Sequence, residues 1–282
     1  MSTQTLTDQA RAGRTAAGAL AAPDAAKHRV PALARHSLVL AKRNLVKTMR
    51  TPEALIDVTI QPVIFLVLFT YVFGGAISGG TPQDYLQFLL PGILAQTIAM
   101  AGVAIGVNLN DDVGKGVFDR FRSLPIGRSA PLIGAVLADV VRYGLLFTMT
   151  LGFGYVLGFR PDASVVEIGL AGLISVGFAL ALSWASVWVG MLARTAGAVQ
   201  GIMFMILLPL SFASSAFVDT STMPDWLQTV SDNNPLTHLV NTVRALLLDQ
   251  PMGDALVWTM AWIVGLVAVF FPLAMRAYRR KV

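Results

Sequence analysis

The residues of this chain that could perform covalent or metal chemistry are few and poorly placed for it. The three histidines, His28, His36 and His238, match no metal-ligand spacing. There is no cysteine, which excludes a disulfide framework, iron–sulfur ligation and thiol catalysis without fixing the compartment. Ser214 and Ser215 stand together, but no apolar run contains a histidine to activate a nucleophile, and no H-E-x-x-H motif occurs. Gly114–Lys115 is followed by Gly116 and lacks the spaced upstream glycine of a phosphate-binding loop. What remains is the chemistry of recognition. In the segment GKGVFDRFRSLPIGR, from Gly114 to Arg128, Val117, Phe118, Phe121 and Leu124 recur at helical spacing, and Lys115 and Asp119 form an i,i+4 pair. Arg120 and Arg122 add charge, and Pro125 stops the helix after about two or three turns. Two phenylalanines among arginines suit an anchor in a partner's groove, because aromatic and arginine side chains dominate interface energies. They suit lipid headgroups equally well, and spacing alone leaves both readings open.

The elements around that segment are membrane spans. Of 282 residues 55% are apolar and only 13% charged, and six runs approach or exceed the ~20 residues that cross a bilayer core: 54–74, 88–108, 131–158, 166–192, 198–218 and 255–275. Six crossings place both termini on one side. The basic residues decide which: nine precede the first span, four lie in the 109–130 loop, Arg194 follows span four and four close the chain, whereas only Arg160 and Arg244 fall on the opposite side. Both termini are therefore expected in the cytoplasm. The net charge of +5 reads as topology, not nucleic-acid binding, because the cations cluster beside the spans. Residues 1–31 are rich in Ala, Thr and Gly without apolar periodicity and are expected to be a disordered tail. Residues 32–51 place Leu38, Ala41, Leu45 and Met49 on one helical face against Arg35, Lys42, Arg43, Lys47 and Arg50, the pattern of a helix lying on the inner membrane surface.

Between spans five and six, residues 218–254 contain two short helical patterns, one opening at Pro224 with Trp226 and Leu227, the other after Asn234–Pro235. Neither is long enough to span, so they are expected to form a re-entrant or interfacial cap. Arg244 is the one cation of this segment, and its surroundings of aspartates predict a tether to a carboxylate or to lipid headgroups. Within the spans, Gln61 and Pro62, Gln96 and Thr97, and Met203, Met205, Pro209, Ser211, Ser214 and Ser215 offer a polarisable, weakly charged lining. Such a lining fits a bulky amphiphile better than an ion. Asp139 and Arg142, at i,i+3, are expected to pair with each other. Two Gly-x-x-x-Gly patterns, 102–106 and 197–201, permit close helix approach and are candidate elements of a dimer seam.

The runs YLQFLLPG (85–92), KGVFDRFRSLPI (115–126), GFRPD (158–162), FVDTSTMPDWL (217–227) and NPLTHLVNTVRALL (234–247), in this order, resemble the ABC-2 permeases, and among them the membrane subunits of daunorubicin/doxorubicin resistance transporters. The resemblance runs from about Pro52 to the C-terminal Tyr-Arg-Arg-Lys. It implies an all-α integral membrane protein with the six-span fold of type V ABC exporters, in which residues 52–282 form the transmembrane domain. It implies that the 32–51 helix connects along the inner surface and that Lys115, Val117, Phe118, Asp119, Arg120, Phe121, Arg122 and Leu124 form a coupling helix docking on a separate ATPase subunit. Trp226, Asn234, Pro235 and Arg244 would belong to external re-entrant helices. ATP and magnesium would sit on the ATPase partner, and a second permease copy would complete a homodimer in the bacterial cytoplasmic membrane. The implied function is ATP-driven export of a hydrophobic or amphiphilic small molecule such as an antibiotic. Alternatives are a lipid, glycolipid or polysaccharide cargo and, behind these, an intramembrane enzyme or a passive channel.

Overall fold

The computed structural model describes residues 52–74, 81–116 and 130–281, with side chains described from 60, 81 and 139 onward in these three stretches. The tail 1–31, the whole of the expected 32–51 helix, and Val117, Phe118, Asp119, Arg120, Phe121, Arg122 and Leu124 lie outside the described residues.

The described chain is helical throughout. Helix α1 (Pro52–Leu68) continues into a π-helical turn, Phe69–Phe73. Helix α2 (Pro82–Ala101) starts on a capping box in which the Thr81 hydroxyl accepts from the Asp84 N–H and the Asp84 carboxylate accepts from the Thr81 N–H, with Pro82 in the first turn. Helix α3 (Val103–Gly114) follows after a break at Gly102, and the two form one apolar rod over Pro82–Gly114. Helices α4 (Ala130–Leu157) and α5 (Val165–Leu192) come next, the latter opened by a second capping box between Ser164 and Glu167. Helix α6 (Ala196–Phe212) is capped by Thr195. A 3-10 turn (Thr220–Thr222) leads to the short helices α7 (Asp225–Asp232) and α8 (Pro235–Leu247), and α9 (Ala255–Lys281) ends the described chain.

Four of these helices are long and apolar enough to cross a membrane: the α2–α3 rod, α4 from Asp139, α5 and α9. The described part of α1 and the whole of α6 are shorter. The helix ends lie near those of the apolar runs except at four places, two of them in the α2–α3 rod, which begins at Pro82 and ends at Gly114 where 88 and 108 were expected. Helix α9 runs on to Lys281, past the expected 275, since its final basic turn still forms helix and suits the negative end of the helix dipole. Helix α6 stops at Phe212, short of the expected 218. The cause is side-chain capture of its last carbonyls: Asn234 Nδ2 donates to Leu210 O (2.6 Å) and Ala213 O (3.2 Å), and Ser214 Oγ donates to Ser211 O (2.6 Å).

Helix α5 is the hub, touching α2, α3, α4, α6, α8 and α9. Helix α2 is buried nearly all round, with Leu86, Leu89, Leu90, Ile93, Leu94 and Ile98 inaccessible, as expected of an apolar helix enclosed by others. Helix α9 packs on α5 through Trp184 against Phe271 and Trp188 against Phe270, while Val257, Val264 and Val269 stay exposed on its outer side. Polar stitches hold the remaining contacts: Tyr143 OH to Ser183 Oγ (2.8 Å) joins α4 to α5, and Thr242 Oγ1 to Thr259 Oγ1 (3.0 Å) joins α8 to α9.

The glycine pattern 102–106 works inside the protomer. A Cβ on Gly106 would collide with the Ser186 carbonyl of α5, and one on Gly190 of α5 would come within 2.5 Å of Gly106 O. Where the backbones approach this closely, Ser186 Oγ donates to Val103 O (2.7 Å) and Asn110 Nδ2 donates to Gly190 O (2.8 Å) and Ala193 O (2.9 Å). The expectation of a dimer seam at 102–106 is thereby corrected: that face is already taken by α5. Gly197 and Gly201 have open space around them.

Candidate functional site

A cavity of about 320 Å³ opens between α1, the α2–α3 rod, α4 and α6. Its wall combines amides and aromatic rings for a geometric reason: each helix contributes one row of residues. From α1 come Gln61 and, one turn on, Phe65; from α2, Gln96 and Thr97; from α3, Asn108. Helix α6 contributes Gln200, Phe204, Leu208 and Phe212, an i,i+4 row lying on one face. Two of the lining rings, Phe65 and Phe212, belong to a stacked series: Phe65 on Phe69 (6.0 Å), Phe69 on Phe217 (4.8 Å) and Phe217 on Phe212 (5.2 Å).

Of the residues expected to line a substrate route, Gln61, Gln96 and Thr97 meet in this cavity. The expected residues of span five do not. Met203 and Ser211 belong to the neighbouring row of α6 and are buried against the protein, while Met205 points outward and is 80% exposed. Ser214 and Ser215 lie beyond the end of the helix, where Ser215 Oγ donates to Asn241 Oδ1 (2.8 Å). Composition selected these residues because sulfur and hydroxyl groups stand out in an apolar run, but composition does not say which row of α6 faces the cavity, and the row Gln200, Phe204, Leu208 and Phe212 does. The lone amide Gln200 and the i+4 repeat of bulky residues after it are the sequence signal that marks the facing row. Asn108 and Gln200 are thus lining residues that sequence reasoning missed.

Arg142 of α4 also lines the cavity. Its Nε lies 3.2 Å from Asp139 Oδ1, the i,i+3 pair expected from spacing, and its Nη2 donates to Ala101 O at 2.8 Å. That carbonyl sits at the end of α2, beside the Gly102 break, so the guanidinium fastens α4 to the joint of the rod. Among the described residues no group of three or more His, Asp or Glu side chains is arranged to hold a metal.

On the far side of the ring cluster lie the short helices. Asn234 caps α8 by accepting from the Leu236 N–H (2.9 Å) while its amide holds the end of α6, so the Asn–Pro pair joins two helices. Trp226 of α7 is 69% exposed and makes an apolar flag on the outer face of that helix. Arg244, expected from sequence to tether α8 to a carboxylate or to lipid headgroups, is 8% exposed and donates chiefly to backbone carbonyls. Its Nη2 donates to Ser215 O (2.9 Å) and Phe88 O (3.2 Å), its Nη1 to Asn241 Oδ1 (3.2 Å), and the guanidinium lies 4.0 Å over the Phe88 ring. Part of this follows from chain termination: once α6 ends early, the turn after it leaves the Ser215 carbonyl in need of a donor, and Arg244 reaches it. Burial lowers the guanidinium pKa to about 10, with Asp219 opposing, so it stays charged at neutral pH. Polar hollows of about 530 and 460 Å³ flank it. At the opposite end of the molecule, Lys115 pairs with Asp111 (2.5 Å), four residues back; Asp119, its expected partner, is outside the described residues.

The profile of the ABC-2 type transporter family matches residues 35–248. The chain belongs to the ABC-2 type transporter family. The matched region takes in the cavity, the ring cluster and α8, and ends one residue after α8. The ABC-2 chain is 42% identical to the daunorubicin resistance ABC transporter permease protein DrrB1 of Streptomyces coeruleorubidus, over 82% of this chain and 81% of that one. It is 31% identical to the putative transport permease ycf38 of Cyanophora paradoxa, over 74% and 72% respectively. It is 23% identical to the probable doxorubicin resistance ABC transporter permease protein DrrC of Mycobacterium tuberculosis, over 86% and 88%.

Proposed function

We propose that this ABC-2 chain is the membrane subunit of an ATP-driven exporter for a hydrophobic or amphiphilic small molecule of the antibiotic kind. The observation that carries the reading is the cavity between α1, the α2–α3 rod, α4 and α6, in which amides and aromatic rings face each other within an apolar bundle. Such a wall matches a molecule with an apolar body and a few hydrogen-bonding groups. The names of the relatives, drug-resistance transporter permeases, point the same way.

In this reading residues 52–282 form the six-span transmembrane domain, 32–51 a surface helix and 1–31 a cytoplasmic tail. The protein resides in the bacterial cytoplasmic membrane with both termini inside and works as a homodimer. The ATP and magnesium belong to a separate ATPase subunit. Nucleotide-driven closure of the ATPase subunits would move the permease halves through the 115–124 coupling segment, exposing the cavity alternately to either side. The short helices α7 and α8 cap the exit. Reconstitution tests the whole: drug flux into proteoliposomes is expected only with the ATPase subunit and ATP, and flux by this chain alone would overturn the assignment in favour of a channel.

Orientation is tested separately. Cysteines placed at Thr3 and Thr229 of this cysteine-free chain are expected to react with impermeant reagent from opposite faces of the membrane. Labelling of both from one face would refute the topology. The coupling assignment predicts that Phe118→Ala with Phe121→Ala leaves the protein inserted but weakens ATPase association by about 2 kcal/mol or more, the usual cost of losing a buried aromatic anchor. Pull-down of the ATPase subunit measures it, and undiminished association with normal transport would dismiss the docking role.

A further inference from the structure

Among the described residues that line the cavity, Arg142 is the one that carries a charge. Its partner Asp139 belongs to the same helix one turn earlier and is absent from the wall, so the cavity meets the cationic member of the pair. The position of the guanidinium along the cavity is also defined. It holds the carbonyl of Ala101, which lies between the wall residues Thr97 and Asn108 of the α2–α3 rod. Helix α6 marks the same axis from Gln200 to Phe212, a rise of ~18 Å. The Phe212 end is lined by Phe65 and Phe212, whose rings stack on through Phe69 and Phe217, whereas the Gln200 end carries an amide. A molecule filling the space therefore finds apolar aromatic surface at one end and a guanidinium part-way down the wall.

We propose that Arg142 is a substrate-binding residue that selects amphiphiles carrying a hydrogen-bond-accepting oxygen, a carbonyl or carboxylate, on an aromatic body seated against the Phe65–Phe212 end. A guanidinium has five donors in a planar fork and accepts nothing. Two of its nitrogens face Ala101 O and Asp139, and the cavity wall it forms has room for an acceptor. In a wall of low polarity a hydrogen bond to a charged donor is worth more than one to a neutral amide, so Arg142 outranks Gln61, Gln96 and Gln200 as the selecting group. Asp139 keeps the arginine charged and oriented when no substrate is present.

This inference rests on the exporter reading, and its test separates the two. The complete permease–ATPase complex, in nanodiscs of zwitterionic lipid, is titrated with three pyrene probes that share a butyl linker: butylpyrene, the methyl ester of pyrenebutyric acid, and pyrenebutyrate. Empty nanodiscs correct for partitioning. Binding is read from pyrene fluorescence and function from ATPase stimulation. The two oxygen-bearing probes are expected to bind about tenfold more tightly than butylpyrene, the size of a charge-assisted hydrogen bond. In Arg142→Leu, and in the double variant Asp139→Asn with Arg142→Leu that removes the stranded carboxylate, the preference is expected to vanish while butylpyrene binds as before. The double variant keeps the test valid if the single one folds poorly. Equal binding of all three probes by the wild type, or a preference that survives in the double variant, overturns the proposal. The expected order of binding in nanodiscs, together with no ATP-dependent flux in the proteoliposome assay, would overturn the exporter reading and leave the site standing.

Discussion

Gly106→Leu is expected to prevent assembly of a folded protein, and Gly106→Ala to cost about 3 kcal/mol, the upper range for overpacking a close contact. The obstruction is backbone, not a flexible side chain: the new Cβ meets the carbonyl of Ser186 on α5. Helix α5 cannot retreat locally, because Ser186 Oγ is bonded to Val103 O and Asn110 to the carbonyls of Gly190 and Ala193, so all these bonds stretch together. Gly144, which has open space around it, supplies the control, and Gly144→Ala is expected to be neutral or slightly stabilising. Thermal unfolding of the detergent-purified protein, followed by size-exclusion chromatography, measures both. A Gly106→Leu variant with the wild-type melting temperature would mean that α3 and α5 are further apart than described.

Arg244→Gln is expected to destabilise the α6–α8 region by about 3 kcal/mol, since it strands buried carbonyls that had a charged donor. Charge alone does not restore the arrangement. One guanidinium spans Ser215 O, Phe88 O and Asn241 Oδ1 while lying flat on the Phe88 ring, and a lysine ammonium, a point charge on a flexible stem, cannot reproduce that fork. Arg244→Lys is therefore expected to behave nearly as badly as Gln, in contrast to what an exposed tether would show. Hydrogen exchange at residues 213–218 reads the loosening directly, and transport at matched membrane abundance reads its consequence. If Lys restores wild-type protection and transport, the fork is dispensable and only the charge counts.

The distribution of apolar and basic residues sufficed for the class of protein and for where most helices begin and end. A run of some 20 apolar residues has few fates other than a buried or membrane helix, and caps such as Thr81–Asp84 and Ser164–Glu167 are local events that neighbouring residues complete by themselves. The Asp139–Arg142 pair was legible for the same reason, being one turn apart on one helix. What the sequence could not decide was which face of each helix looks where. The row Gln200, Phe204, Leu208 and Phe212 and the row Met203, Leu207 and Ser211 are alike in apolar character, and only the placement of α6 against α3 and α5 turns one to the cavity and buries the other. Nor could it foresee that Asn234, 21 residues beyond Ala213, would end α6, or that Arg244, with Asp219 still near it, would donate to carbonyls 29 and 156 residues away. Those choices arise when distant backbone groups lose water together, so each unsatisfied carbonyl must find its donor in three dimensions, however far off along the chain.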